Sequence, residues 1–276
     1  MQLELVEFWK KFKPESAPFV HPDDLETLKY NDCLPCGDEP EPFDLKSYLA
    51  SSRFGEPIDN RFHLSLLPVP YVGNVAKADI VVLLLNPGFQ HSSYWAETAV
   101  PGFRDRLRRN LDQVFNAEET PFFCRDPQYC WYEGFRWWEK KLRPVIAQIA
   151  QKDFGGRYRE AMLHLSQRLA CIELIPYQSS SFGDHKLIKD LPSARLAREF
   201  VSRHLLGSPD QSSKTVIVTR QVKGWSLHGY KNTSDLIIYE GSETRGASLG
   251  PNSRGGRAIL SRYDIKPPTS IDLVAN

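Results

Sequence analysis

The sequence predicts an α/β protein, a three-layer α/β/α arrangement around a central, mostly parallel sheet of four strands. Three observations carry that expectation. Short apolar runs of strand length recur along the chain, each separated from the next by a stretch of helical periodicity. The runs are continuous rather than alternating, as a strand covered on both faces requires. The longest of them, Ile80 to Leu85, is far too short to cross a bilayer, so no membrane partner is expected.

The elements follow in order. LELVEFWKKF near the start reads as a short amphipathic helix, Leu3–Phe12. It has neither the basic start nor the apolar centre of a signal peptide, so a cytoplasmic location is expected. Residues 13–75 are rich in Pro, Asp and Gly and read as an irregular segment. Residues 1–77 are therefore taken as a helix and wrap packed on a main domain of residues 78–276. ADIVVLLLN (Ala78–Asn86) is the first strand. A basic helix near Phe103–Phe115 follows, then an aromatic loop at residues 121–133 and helices near 134–152 and 157–168. LACIELI (Leu169–Ile175) is the second buried strand. A helix near Ser193–Leu206 comes next, with Ser193 as its N-cap. Thr215–Thr219 and Asp235–Tyr239 complete the strands. A Gly-rich turn, residues 241–256, leads into a last helix near Arg257–Arg262.

The chain of 276 residues is long enough for one large domain or two small ones, and a monomer is expected. Its formal net charge is +1, so affinity for nucleic acid has to come from local clusters. Arg104 to Asn110 holds four arginines, and Arg245, Arg254 and Arg257 gather near the end. A phosphate-binding surface is one reading of each cluster, and a solvated helix face or loop is the plainer one. Five cysteines form an odd set that suits reduced thiols. Cys33-Leu34-Pro35-Cys36 has metal-ligand spacing, and Cys124 and Cys130 would complete four. One C-x-x-C without a second is a weak signal, so no metal or other cofactor is expected, and Cys171 reads as core.

In open parallel sheets the chemistry lies beyond the carboxyl ends of the strands. Asn86-Pro87-Gly88-Phe89 stops the first strand with a helix-incompatible dipeptide. Glu173 is a carboxylate inside the apolar run CIELIP, expensive there unless it is paired or lines a cavity. A pocket and a structural pairing with an arginine such as Arg220 both satisfy that demand. Pro176 ends the strand three residues later, which puts Glu173 near its mouth. Arg220 and Trp225 follow the third strand, where they suit phosphate, base or simple packing. GSETRGASLGPNSRGG, residues 241–256, is too long and Gly-rich for a plain connector.

These ends together resemble the uracil-DNA glycosylase superfamily. LLNPGF (residues 84–89) is similar to the water-activating NPG motif of that family. Glu173-Leu174-Ile175-Pro176 stands where its base-reading Asn occurs. Ala247 to Gly255 stands where a His-Pro-Ser-type loop sends an apolar tip into the duplex. The likeness covers roughly residues 78–265. The Asp/His acid pair, the base-reading Asn and the usual His of the last motif are absent from this chain.

The resemblance implies a base flipped out of DNA into a pocket. Asn86 and Glu173 would be catalytic, with Asn86 holding the attacking water. Pro87, Gly88, Phe89, Tyr177 and Arg220 would meet the nucleotide, Phe89 by stacking. Arg245, Ser248, Leu249, Asn252, Ser253 and Arg254 would contact DNA, Leu249 as the wedge. An ionised Glu173 repels the O4 of uracil but accepts from the exocyclic amine of cytosine, or of adenine, so the carboxylate alone does not exclude a purine. A Glu173 protonated by burial would instead donate to the base and help it leave. Gly88 stands where other branches carry a tyrosine that blocks C5 of the base. Plain cytosine would be a self-destructive target. The expected substrate is therefore a C5-modified cytosine, such as the glucosylated hydroxymethylcytosine of some phages, and the expected role is defence against foreign DNA. The alternatives are uracil repair, a catalytically inactive DNA-binding module on the same fold, and an enzyme acting on free nucleosides or nucleotides.

Overall fold

The computed structural model describes residues 4–13, 15–34, 40–56, 59–116, 119–207 and 214–265. Five strands, β1 Tyr71–Val72, β2 Ile80–Leu84, β3 Leu169–Glu173, β4 Thr215–Val218 and β5 Leu236–Ile238, form one sheet in the order β1-β3-β2-β4-β5. Four of them were expected. The fifth, β1, is two residues long inside PVPYVGN, too short for any periodicity to announce it. β4 pairs in parallel with both β2 and β5, with Ile80 opposite Thr215 and Val216 opposite Leu236. Every residue of β2, β3 and β4 is buried, as their continuous apolar runs require. No helix among the described residues is long and apolar enough to cross a membrane.

By its contacts the chain divides into two compact units. The first comprises Met1–Val72, Leu84–Ala117 and Ile172–Gly207. Its helices are α1 Glu4–Lys10, α2 Pro22–Tyr30, α3 Leu45–Ala50, α4 Ser92–Ala99, α5 Phe103–Leu111, α8 Leu187–Asp190 and α9 Pro192–Phe200. Their starts follow local chemistry. The His21 side chain accepts from the Asp23 amide with Pro22 in the first turn, and Asp44 and Ser47 form a reciprocal capping box. Ser193 is not the N-cap of α9. Pro192 starts that helix because it has no N–H to satisfy, and the Ser193 amide donates instead to the buried Asp24 carboxylate at 2.9 Å. Residues Val201–Leu206 continue α9 as a wider π-helical turn. The arginines of α5 do not form one solvated row, since Arg106 is fully buried.

The second unit comprises Gly73–Leu83, Glu118–Cys171 and Ser208–Asn276. The aromatic loop forms two 3-10 turns, Phe123–Arg125 and Pro127–Tyr129. The long α6 Glu133–Asp153 buries Trp138, Leu142, Val145, Ile146 and Ile149 and packs along α7 Tyr158–Arg168. The unit closes with α10 Glu243–Gly246 and α11 Arg254–Ser261, the latter against β4 and β5.

Candidate active site

The end of β2 is clasped to the chain that follows β3. The Ile175 amide donates to the Leu85 carbonyl at 2.8 Å, Ser179 to Pro87 at 3.3 Å, and Phe89 to Ser179 at 3.0 Å. Gly88 and Ser179 thereby form a parallel bridge beyond the regular strands. The clasp orients Asn86. Its Nδ2 donates to the Ser179 hydroxyl at 2.8 Å and to the Pro87 carbonyl at 3.2 Å. A carbonyl only accepts, so the atom facing Pro87 has to be the nitrogen. Oδ1 is left without a hydrogen-bond partner among the described residues, an acceptor suited to hold one proton of a water.

Two further features sit beside this amide in sequence or in the ladder. A Cβ built on Gly88 meets nothing within 4 Å, so this position faces open space. Glu173 is the last residue of β3 and 7% exposed, and its amide donates to the Pro70 carbonyl at 2.8 Å. It lies two residues before Ile175, whose amide pairs with Leu85.

Phe89 and Tyr177 do not stand where a flipped base would meet them. The Phe89 ring lies face to face on His63, with centroids 3.4 Å apart and 14° between planes, and meets Tyr48 and Tyr94 edge-on. The Arg53 guanidinium is 3.1 Å from His63 Nε2 and can only donate, so Nε2 accepts and Nδ1–H donates to the Tyr94 hydroxyl at 3.1 Å. Burial, with Arg53 beside it, holds the His63 pKa down at about 2, so the ring is neutral. Phe89 therefore belongs to a packed aromatic cluster, which corrects the stacking role expected of it. Tyr177 is likewise buried. Its hydroxyl donates to Asp24 at 2.7 Å and accepts from the His21 amide at 3.2 Å, which commits it to the fold.

Residues that sequence reasoning passed over support the clasp. Ser179 lies in the featureless run QSSS and carries no sequence signal, yet it holds both Asn86 and Phe89. Glu97 of α4 accepts from the Leu67 amide at 3.0 Å and the Gln178 amide at 3.5 Å, with Arg104 Nε 3.6 Å away. Burial pushes its pKa up to about 7 against these favourable partners.

The 241–256 turn of the second unit is closed on itself. Leu249, expected at an exposed tip, is 1% exposed. The cause is a pair of glycines. A Cβ on Gly255 would fall 3.0 Å from the Leu249 side chain, and one on Gly256 would fall 2.7 Å from the Leu249 carbonyl and closer still to that of Gly250. The start of α11 thus packs directly on the turn and covers Leu249. Ser253 is the N-cap of α11, accepting from the Gly256 amide at 3.0 Å. The Tyr239 hydroxyl donates to the Ser248 carbonyl and accepts from the Gly255 amide. Arg254 is held by both oxygens of Glu243. Arg220 donates to the Arg245 carbonyl at 3.3 Å, and the Asn252 carbonyl accepts from Arg257 at 2.7 Å. Arg245, Ser248 and Asn252 are exposed, while Trp225 is buried.

Cys36 lies outside the described residues. The Cys33 thiol faces two acceptors, the Asn31 carbonyl at 3.3 Å and Asp184 at 3.6 Å, and burial together with that carboxylate pushes its pKa up to about 12. Cys171 is buried in β3, as expected, and Cys124 and Cys130 belong to the second unit. Among the described residues no three His, Cys, Asp or Glu side chains gather in a metal-binding group. Comparison with protein-family models, with curated proteins and with solved structures finds no match to this chain.

Proposed function

We propose that the chain is a DNA glycosylase that hydrolyses the N-glycosidic bond of a C5-modified cytosine, leaving an abasic site. The observation that supports this reading best is the Asn86 amide. It is fixed by Ser179 and Pro87 with Oδ1 open, next to a glycine whose side-chain direction is empty. In this reading Oδ1 orients a water toward C1′ as the bond to the base breaks, without itself being a base. Glu173 accepts from the exocyclic amine, and Gly88 leaves room for the C5 group. Rate comes mainly from positioning and from electrostatic stabilisation of an oxocarbenium-like sugar. The protein would act as a cytoplasmic monomer on foreign modified DNA.

The test is base release from duplexes carrying cytosine, uracil, hydroxymethylcytosine or its glucosylated form, read as abasic sites. Activity is expected on the C5-modified cytosines. Asn86→Ala and Glu173→Ala should each lower it about a hundredfold or more with the fold intact by circular dichroism. Gly88→Tyr should abolish release of the bulkiest bases first. Efficient release of uracil, with none of any C5-modified cytosine, would overturn the substrate while keeping the class.

The burial of Leu249 favours a second reading, an N-glycosidic enzyme acting on free nucleosides, because such an enzyme needs no wedge. Turnover of a modified nucleoside without polymer would select it.

A further inference from the structure

The first unit holds a cleft of about 450 Å³ that the strand-end chemistry does not use. Asn31 and Asp32 at the end of α2 form one side, and Phe182 and Asp184, on the loop leading away from Ser179, form another. Asn60, Arg61 and Phe62 complete the wall that matters here. The volume falls within the range of small-molecule sites.

The chemistry of the lining narrows the ligand. Asn31 spends its Nδ2 on the Thr27 carbonyl at 2.8 Å, which leaves Oδ1 to accept. The Asn60 Oδ1 accepts from the Ser181 hydroxyl, which leaves its Nδ2 to donate. Asp32 and Asp184 oppose an anion, and the free Asn60 donor asks for an acceptor that a cation lacks. Of the other charges in the lining, Arg53 pairs with Glu41, and Arg61 with Asp59 and Glu56. A hydroxyl satisfies both kinds of partner at once, since it donates to a carboxylate and accepts from an amide or guanidinium. The two phenyl rings decide between a flat and a puckered ring. Phe62 and Phe182 have centroids 6.4 Å apart and planes tilted by 40°, so they do not make the parallel-walled slot that a nucleobase stacks into. They do offer apolar surface to the C–H face of a saturated ring. The Cys33 thiol lies beside the Asp184 carboxylate, 3.6 Å from it and 3.3 Å from the Asn31 carbonyl.

We infer that this cleft binds a neutral, hydroxyl-rich ring of the hexopyranose kind, with Asp184 and Asn60 taking hydroxyls and Phe182 taking its apolar face. Two sources share that chemistry, a free saccharide and a sugar carried on a modified base. The second rests on the glycosylase reading, in which the loop from Ser179 to Asp184 joins the Gly88 clasp to the cleft.

Saturation-transfer NMR and calorimetry would test it with methyl α- and β-glucopyranoside, glucosylated 5-hydroxymethylcytidine and unglucosylated 5-hydroxymethylcytidine. Spermidine, inorganic phosphate and cytidine serve as comparison probes. Binding of a glucoside is expected, weakened about tenfold or more by Asp184→Asn and by Phe182→Ala, as loss of a charge-assisted hydrogen bond or a ring face does. Asn86→Ala should leave it unchanged. Should Phe182→Ala lower the melting temperature, the isosteric Asp184→Asn carries the test alone. Binding of the methyl glucosides identifies a free-sugar site, and binding of the glucosylated nucleoside alone identifies the carried sugar. The inference is overturned if neither form of the sugar binds, if the variants bind it as well as the parent, or if only spermidine, phosphate or cytidine binds. Failure of the glycosylase reading is separate, because it appears as absence of abasic product whatever the sugar binding.

Discussion

Two strand-end loops of this protein are built from similar materials and finish in opposite states. The Asn86–Phe89 segment leaves Gly88 facing empty space and one amide oxygen open, with its backbone clasped to Ser179. The 241–256 turn, richer in glycine and arginine, uses two of its glycines and one arginine for internal closure. Gly255 and Gly256 admit the start of α11 onto Leu249, and Arg254 is neutralised by Glu243. Glycine marks close approach at Gly255 and Gly256 but open space at Gly88, Gly241 and Gly246, so its presence alone does not identify a ligand site. What separates them is whether a neighbour occupies the place where a side chain would go.

The largest expected effect breaks the closed loop. Gly256→Ala puts a methyl inside contact distance of two backbone carbonyls and should cost about 3 kcal/mol or more in chemical denaturation, as overpacking against rigid atoms does. A loss under about 1 kcal/mol would show that the turn yields and that Leu249 is free to emerge.

The support behind the open loop has its own signature in pH. The Glu97 pKa is raised to about 7 in the folded chain from 4.5 in the unfolded one. Between these values the folded state binds more protons, so stability falls as pH rises from about 4.5 to about 7 and then levels. The whole step amounts to about 3 kcal/mol at most. Denaturation midpoints across that window should lose most of this slope in Glu97→Gln, and an unchanged slope would move its origin to another group.

A smaller effect concerns charge. If the turn meets DNA, Arg245→Ala should reduce the slope of log affinity against log salt by about one. Arg254→Ala should change it less, because Glu243 already occupies that guanidinium. Equal reductions would mean that DNA displaces Glu243.

The smallest effect is the control for the open loop. Gly88→Ala should shift stability by no more than about 0.5 kcal/mol, since its methyl meets nothing. A large loss would show that the space is needed by the fold rather than by a ligand.

The sequence by itself determined the α/β class and the positions of β2, β3, β4 and β5, because continuous apolar runs between helical stretches have few other ways to bury their surface. It also placed Asn86 and Gly88 at a strand end, because a strand stops at Pro87. Tertiary structure decided the rest. Phe89, Tyr177 and Leu249 are apolar or aromatic residues beside breakers, and periodicity says that such a side chain wants cover without saying which neighbour supplies it. His63, Asp24 and the first turn of α11 supply it here, from distant points in the chain or through a close backbone approach. Ser179 and Glu97 were illegible for the complementary reason. A polar residue gains meaning only from the partner it reaches, and Asn86 and Gln178 lie 93 and 81 positions away from them along the chain.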